Sequence, residues 1–127
     1  MQYNIEKSVW SFMLETIIEK PWGSEEILEL NEKYMLKRLK MNKGFRCSLQ
    51  YHNRKCETIY VLSGSLKISH GQTKEMLVSE IYEAGGVITI KQGIIHRMEA
   101  VSDAVYLEAS APEIDDTVRI EDDFKRI

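Results

Sequence analysis

The sequence predicts an all-β domain, either a sandwich or a closed barrel. From Ser24 onward it consists of short segments rich in Val, Ile, Leu and Tyr, separated by turns of Asn, Gly, Lys and Ser. No stretch between Gly23 and Ala111 keeps apolar residues at helical spacing over three turns. Many short strands with close turns are typical of sandwiches and barrels.

The predicted strands follow one another at short intervals. They are EEILEL, YMLKRLKM, RCSLQYH, TIYVLSG, SLKIS, EMLVS, VITI, HRMEAV and AVYLEAS. Along the strand from Glu57 to Leu62, alternation separates two faces, with Glu57, Ile59 and Val61 on one side and Thr58, Tyr60 and Leu62 on the other. Both faces are largely apolar. We therefore expect one face to line the interior and the other to meet a second sheet or a partner subunit, which predicts a homodimer.

A chain of 127 residues fits one domain. Residues 1–19 lack clear periodicity, and Pro21 disfavours helix at Lys20, so we predict a short N-terminal arm. Residues 20–111 form the predicted barrel. Residues 112–127 are highly charged, and their composition is compatible with a solvated end or with a segment folded back over the barrel mouth. We predict a tail that packs near the mouth.

Charge and composition exclude several classes of partner. The net charge is −3, and the 17 basic and 20 acidic residues are interleaved without a basic stripe, which argues against nucleic acid. No apolar run approaches the ~20 residues that cross a bilayer, and the N-terminus lacks the pattern of a signal peptide, so we expect a cytoplasmic protein without a membrane partner. Cys47 and Cys56 read as reduced thiols.

Four polar residues have the spacing of a metal site. Gln50 and His52 lie two apart, so on a strand both side chains leave the same face, and Glu57 follows after a turn-forming NRK. A strand carrying His96 would complete two imidazoles, one carboxylate and one amide oxygen. This set suits Zn, Mn, Fe, Co or Ni, with glutamine the weaker donor. The alternative is a group of ordinary polar residues on an exposed strand.

These residues fall at the spacing of the two cupin motifs. The first motif is matched by Gly44, Gln50, His52, Glu57 and Gly64, with glutamine in place of its first histidine. The second is matched by Gly85, Gly93 and His96, although Lys91 replaces the usual proline and Ala100 the usual asparagine. The chain thus resembles the cupin superfamily. That resemblance implies a double-stranded β-helix, the jelly-roll barrel, around a divalent metal ion.

A closer resemblance is to type II phosphomannose isomerases and to the isomerase domain fused to mannose-1-phosphate guanylyltransferases. The similar segments are KPWGSEE, KRLKMNKGFRCSLQYHNRKCE, GGVITIKQGIIHRMEA and DDTVRIEDDFKR. They span Lys20 to Arg126 and include the replacement of His-X-His by Gln-X-His. This resemblance implies a metal-dependent aldose–ketose isomerase or epimerase. Its ligand would be a phosphorylated or nucleotide-linked sugar, with mannose-6-phosphate as the leading candidate.

The end of the chain departs from that family. The usual Gly-Ser-Tyr-Leu-Gly-Glu-Asp stretch is shortened to SAPEIDD. The usual Arg-X-X-Asp-X-Tyr-Gly-Arg signature reads Arg119, Asp122, Phe124, Lys125 and Arg126. These departures favour an alternative function, a non-catalytic cupin that binds a sugar or other small ligand as an accessory to sugar-nucleotide metabolism. Metal-dependent oxygenation is a third, less favoured class.

Four basic residues complete the predicted site. The family resemblance makes Arg119 a candidate catalytic residue that stabilises an anionic intermediate, and Arg126 a candidate for binding phosphate. Both could instead be surface arginines. Lys37 shares a strand face with apolar residues and is predicted to point into the barrel as a second catalytic residue, unless the register slips. Lys91 is a candidate substrate-binding residue at the mouth, or else a solvated lysine in a turn.

Overall fold

Eleven strands make up most of residues 17–127, the part of the chain that the computed structural model describes. In chain order they are β1 (Ile17–Lys20), β2 (Gly23–Leu30), β3 (Met35–Met41), β4 (Leu49–Tyr51), β5 (Glu57–Ser63), β6 (Leu66–Gly71), β7 (Val78–Tyr82), β8 (Val87–Ile90), β9 (Ile95–Ala100), β10 (Ala104–Ser110) and β11 (Val118–Glu121). Within this range the helical structure is a single 3-10 turn at Lys74–Met76. The predicted all-β class is confirmed.

The strands form two antiparallel sheets. The six-stranded sheet has the order β1-β2-β3-β10-β5-β8, and the five-stranded sheet the order β11-β4-β9-β6-β7. The four strands β3-β10-β5-β8 face the four strands β4-β9-β6-β7. Between β3 and β10, each strand crosses to the other sheet except in the β6–β7 hairpin, as in a jelly roll. The fold therefore brings residues from distant parts of the sequence to one interior.

The core lies between the two sheets and follows the alternation of the strands. On β5, Ile59 and Val61 are fully buried, whereas Tyr60 and Leu62 point outward and stay about two-fifths exposed. The apolar core consists of Trp22, Leu39, Met41, Cys47, Ile59, Val61, Leu66, Ile68, Ile90, Met98, Ala100, Ala104 and Tyr106. It fills one part of the barrel, and the rest remains open as a cavity.

Two glycines are required by close backbone contacts. Gly23, which opens β2, has a positive φ of 154°, and a Cβ there would lie 1.9 Å from the carbonyl oxygen of Lys40. Gly64, between β5 and β6, has a φ of 79°, and a Cβ there would lie 2.0 Å from the carbonyl oxygen of Asp103. No other residue fits either position without moving the neighbouring strand.

The segment after β10 folds back along the five-stranded sheet. Its strand β11 pairs with β4, with Arg119 opposite Gln50. Beyond it, Arg46 forms a two-pronged ion pair with Asp123, and the Phe45 and Phe124 rings stack with their centroids 6.3 Å apart. The end of the chain is thus held against the barrel beside the strand that carries Gln50.

At the other end, β1 pairs with β2 and begins at Ile17, inside the segment predicted as an arm. The first 16 residues of that arm lie outside the described part of the chain. From residue 17 to the end, the structure has no helix with the length and hydropathy needed to span a membrane.

Candidate metal centre and its cavity

Three of the predicted ligands converge inside the barrel. One ligand atom from each of His52, Glu57 and His96 lies within 4.8 Å of the others. The distance from Glu57 Oε2 is 3.2 Å to His52 Nε2 and 3.6 Å to His96 Nε2. All three residues are at least 97% buried. Their clustering away from water is what a protein-bound cation requires.

The strand connections explain why these residues meet. His52 directly follows β4, and a short turn returns the chain to Glu57, the first residue of β5. The ring of His96 comes from β9, which pairs with β4 through Gln50 and His96. The cluster is therefore supplied from both sheets. The two histidines come from β9 and the end of β4 in the five-stranded sheet, and Glu57 comes from β5 in the six-stranded sheet.

The second nitrogen of each ring fixes its orientation. Nδ1 of His52 lies 2.8 Å from the main-chain oxygen of Asp116, and Nδ1 of His96 lies 2.9 Å from that of Ile94. A carbonyl oxygen only accepts, so each Nδ1 carries the proton and donates it. Each Nε2 is then left with a lone pair directed toward Glu57. Histidine ligands of metals are oriented in this way.

Four buried atoms at the centre of the cluster remain unpaired. Nε2 of His52, Nε2 of His96 and both carboxylate oxygens of Glu57 have no well-formed hydrogen bond within residues 17–127. Lone pairs of two imidazoles and a carboxylate facing one another in a buried site repel unless a positive charge lies between them. The donor set and its orphaned atoms therefore fit a divalent cation.

The charge of Glu57 agrees with this assignment. Burial by itself raises the pKa of Glu57, but the positive charge around it outweighs burial: that of the His52 and His96 rings when their Nε2 atoms are protonated, and that of Lys55. A metal cation in place of those two protons acts in the same direction. The pKa of Glu57 is consequently held below its ordinary value. Glu57 is therefore a carboxylate, the form that binds a metal ion.

Gln50 lies beside the three converging residues. It faces His96 in the β4–β9 pairing and lines the same cavity, and its Oε1 accepts a hydrogen bond of 2.7 Å from the Ser48 hydroxyl. That bond leaves one lone pair of the amide oxygen available. Its role as a fourth ligand remains a prediction.

The cluster opens into a cavity of about 460 Å³, within the range of roughly 300–1,000 Å³ usual for small-molecule sites. Its walls carry basic, acidic and apolar side chains. The charged residues among them are Lys20, Lys37, Lys55, Arg119 and Arg126, together with Glu25, Glu57, Glu108 and Asp115. The hydroxyl of Tyr106, on a fully buried side chain, also lacks a hydrogen-bond partner in the described structure. A polar ligand could therefore be bound on several sides.

Lys37 points into this cavity. Its Nζ lies 2.8 Å from Glu25 Oε2, and Lys20 approaches the other oxygen of Glu25 at 3.8 Å. Burial lowers the pKa of Lys37, but the carboxylates of Glu108 and Glu25 more than compensate, so it stays above its ordinary value. Lys37 is therefore an ammonium ion at neutral pH. Its catalytic role remains a prediction.

The other predicted basic residues lie at different places. Arg119 lines the cavity, and its Nε has no hydrogen-bond partner in residues 17–127. Arg126 also lines it, but its guanidinium is already paired with Asp122 at 2.6 and 3.1 Å. Lys91 is exposed in the turn after β8 and borders a separate cavity of about 310 Å³ with His70. Lys91 does not line the cavity of the metal cluster, and its substrate-binding role remains a prediction.

Sequence reasoning missed three charged residues of the cavity wall. Glu25, Lys55 and Glu108 are at most 9% exposed, and the latter two pair at 3.4 Å between Nζ and Oε2. The signal for Glu108 was its alternation with the inward positions of AVYLEAS, where a carboxylate stands on an otherwise apolar or small-residue face. Lys55 lies in a turn and offered no such signal.

The chain is similar in sequence to a known protein family and to two characterised proteins. The sequence profile of the family described as "Mannose-6-phosphate isomerase C-terminal" matches residues 11–127. This chain belongs to that family. The domain is 26% identical over 119 residues to the xanthan biosynthesis protein XanB of Xanthomonas campestris pv. campestris. It is 27% identical over 121 residues to the mannose-1-phosphate guanylyltransferase ManC of Salmonella typhimurium.

These matches cover 86% and 87% of this mannose-6-phosphate isomerase C-terminal domain but only 23% of each relative. The domain thus spans about a quarter of the length of the curated relatives that it matches. Among solved structures it is similar to an RmlC-like cupin from Shewanella frigidimarina, with a TM-score of 0.67, 16% identity, and coverage of 78% of this chain and 85% of the other. The cupin fold is confirmed.

Proposed function

We propose that this cupin is a metal-dependent isomerase or epimerase of a sugar phosphate, with mannose-6-phosphate as the leading candidate substrate. One observation carries the proposal. Two imidazole Nε2 atoms and the Glu57 carboxylate converge at the wall of a cavity of small-molecule size, without hydrogen-bond partners in residues 17–127. Family membership supplies the substrate class, since the matching profile is that of a mannose-6-phosphate isomerase domain.

His52, Glu57 and His96 would hold the cation, with Gln50 as the neutral fourth ligand. Two imidazoles with oxygen donors suit Zn, Mn, Fe, Co or Ni. When bound, such an ion supplies Lewis-acid stabilisation of negative charge on the oxygens of a substrate. The protein contributes the buried site and the fixed rings.

The basic residues of the cavity would bind the anionic parts of the substrate. Nε of Arg119 has no hydrogen-bond partner in the described residues, and we assign this side chain to the negative charge that develops during isomerisation. Arg126, oriented by Asp122, is assigned to the phosphate group. Lys37 adds a fixed positive charge to the inner wall. A nucleotide-linked sugar is a second ligand of the same chemistry.

The proposal also includes a homodimeric state and a cytoplasmic location. Tyr60 and Val87 pair directly on the outer surface of the six-stranded sheet and are 42% and 57% exposed. We expect a second copy of the chain to cover this surface, giving a homodimer. We also expect the protein to work in the cytoplasm, where sugar phosphates are interconverted.

A non-catalytic sugar-binding cupin is the second candidate. The observation that favours it is the pairing of Arg126 with Asp122 through two side-chain bonds and a main-chain bond of 2.8 Å. An arginine held in this way has fewer free donors for a phosphate. The altered signature around Phe124 and Lys125 points in the same direction.

Proton exchange separates the two functions. The metal-loaded protein is incubated with mannose-6-phosphate or fructose-6-phosphate in deuterated water, and label at C1 and C2 is followed by NMR. We expect exchange that is lost in His96→Ala and kept in His70→Ala, whose histidine lies opposite His96 on β6 but outside the cluster. Measurable binding without exchange would favour the non-catalytic cupin.

A further inference from the structure

A second buried carboxylate lies next to the candidate metal centre. In the pairing of β5 with β10, Glu57 is opposite Ser110, and Glu108 is the next inward residue along β10. Diagonal neighbours of this kind lie about 7–8 Å apart across an antiparallel pair. Glu108 is 5% exposed and lines the same cavity as Glu57. A molecule bound at the cluster would therefore lie within reach of it.

The lysines near Glu108 balance the negative charge of its carboxylate only in part. Its Oε2 lies 3.4 Å from Nζ of Lys55, which is itself 5% exposed. Lys37 stands directly opposite Glu108 in the β3–β10 pairing, but its ammonium turns to Glu25 at 2.8 Å. Within the described residues the buried Glu108 thus has one long ion pair, with Lys55, beside the nearby positive charge of Lys37.

Three other titratable groups of the cavity wall are less suited to proton transfer. Glu57 belongs to the cation site, and Glu25 is contacted by two lysines. Lys37 carries its proton at neutral pH and cannot accept another. Burial raises the pKa of Glu108 above its ordinary value, which makes it a stronger base than an exposed glutamate.

We propose that Glu108 is the catalytic base that carries the proton between C1 and C2 of the sugar phosphate. This inference rests on the proposed isomerase function. Lys55 is a positioning residue, because it fixes the carboxylate by an ion pair inside the cavity. Neither residue was identified from the sequence motifs.

The step balances without an oxidant or a reductant. The Glu108 carboxylate takes the proton from C2 of the open-chain aldose, the C–H pair forms the C1–C2 double bond, and the carbonyl pair moves to O1. The same carboxyl, whose proton exchanges with solvent before the second transfer, then delivers a proton to C1, while the hydroxyl proton passes from O2 to O1. C2 becomes the carbonyl carbon, and Glu108 ends as a carboxylate.

The test compares Glu108→Gln with Glu26→Gln, which changes a glutamate paired with Arg38 on the outer face of β2. Bound metal, calorimetric affinity for mannose-6-phosphate and deuterium exchange are measured on each folded protein. For Glu108→Gln we expect unchanged metal content and ligand affinity, with exchange slower by at least about 100-fold. For Glu26→Gln we expect all three to match the wild type.

The outcomes separate this inference from the function on which it rests. Wild-type exchange that persists at full rate in Glu108→Gln overturns the role of Glu108 and leaves the isomerase intact. Absence of exchange in the wild type overturns both. If Glu108→Gln does not fold because Lys55 is left unpaired, the double variant Lys55→Gln/Glu108→Gln removes both charges. Full-rate exchange by that folded, metal-loaded variant would likewise overturn the proposal.

Discussion

The main-chain carbonyl of Asp116 accepts the Nδ1 proton of His52 at 2.8 Å, across 64 residues of sequence. The Asp116 carboxylate also accepts main-chain N–H bonds from Asn53, Arg54 and Lys55, at 3.1, 2.7 and 2.8 Å. Asp116 is 4% exposed. The segment after β10 therefore fixes both the ring of a predicted ligand and the turn between two predicted ligands.

Removing the Asp116 carboxylate should weaken metal binding. In Asp116→Ala the three N–H groups of the turn lose their acceptor, so the turn that sets His52 relative to Glu57 loosens. We expect the metal dissociation constant to rise by about 10–100-fold, measured by competition with a chelating dye. Glu113→Gln is the control, because it alters only an exposed pair with Arg54. Equal affinities in the two variants would contradict this role.

Lys37 and Glu25 should be strongly coupled in stability. Both side chains are less than 15% exposed, so Lys37→Met leaves a buried carboxylate without its main partner and should cost about 3–5 kcal/mol. The double variant Lys37→Met/Glu25→Gln should recover part of this loss. A double-mutant cycle by urea unfolding measures the coupling, which we expect to be about 0.5–3 kcal/mol.

The matched cycle uses Arg38 and Glu26, a more exposed pair on the opposite face of the same two strands. Its coupling should not exceed about 1 kcal/mol, because exposed ion pairs are screened by water. If the Lys37 cycle gave no larger value than the Arg38 cycle, the buried network would not contribute to stability as described.

Asp122 should make stability depend on pH in the acid range. Hydrogen bonds from Arg126 outweigh partial burial and lower the pKa of Asp122 below its ordinary value of 3.8. A carboxyl with a lowered folded-state pKa stabilises the protein above 3.8 and loses that contribution as the pH falls through the folded value. Asp122→Asn should therefore be less stable than the wild type at neutral pH, and the difference should shrink below 3.8.

Urea unfolding at a series of pH values measures this difference, with Asp103→Asn as a control for a carboxyl that accepts a single main-chain bond. A difference between wild type and Asp122→Asn that stayed constant down to the lowest accessible pH would show that the ion pair with Arg126 is not the cause.

The exposed surface around Tyr60 should be covered by a second copy of the chain. Sedimentation velocity is expected to give the mass of two chains, and Tyr60→Lys, which puts a charge at the centre of this surface, should give one. A wild-type protein that remains monomeric at high concentration would contradict the dimer.

The local features of the fold were accessible from the sequence. Alternation along TIYVLSG separated Ile59 and Val61 from Tyr60 and Leu62, and the structure buries the first pair. The same period placed Lys37 among inward residues. The strands β1 and β11 were not predicted, because each is only four residues long and carries charged side chains. Short polar segments become strands through pairing with a neighbour, which no local pattern reveals.

The contacts that support the site could not be predicted from the sequence. The approach of Lys55 to Glu108 joins residues 53 apart, and it exists because β10 lies between β3 and β5. The Asp116 contacts likewise depend on where the segment after β10 returns. The spacing of Gln50, His52 and Glu57 can be read from one short stretch of sequence. The contacts that support these residues depend instead on the order of the strands in the sheets.

The central claim, that one cation is held by His52, Glu57 and His96, is tested most directly by anomalous scattering from crystals grown with Mn²⁺ or Zn²⁺. We predict one strong peak bonded to the Nε2 atoms of both histidines and to the Glu57 carboxylate, with Gln50 adjacent. Fully loaded crystals with no peak between these side chains, or with the ion bound elsewhere, would contradict it.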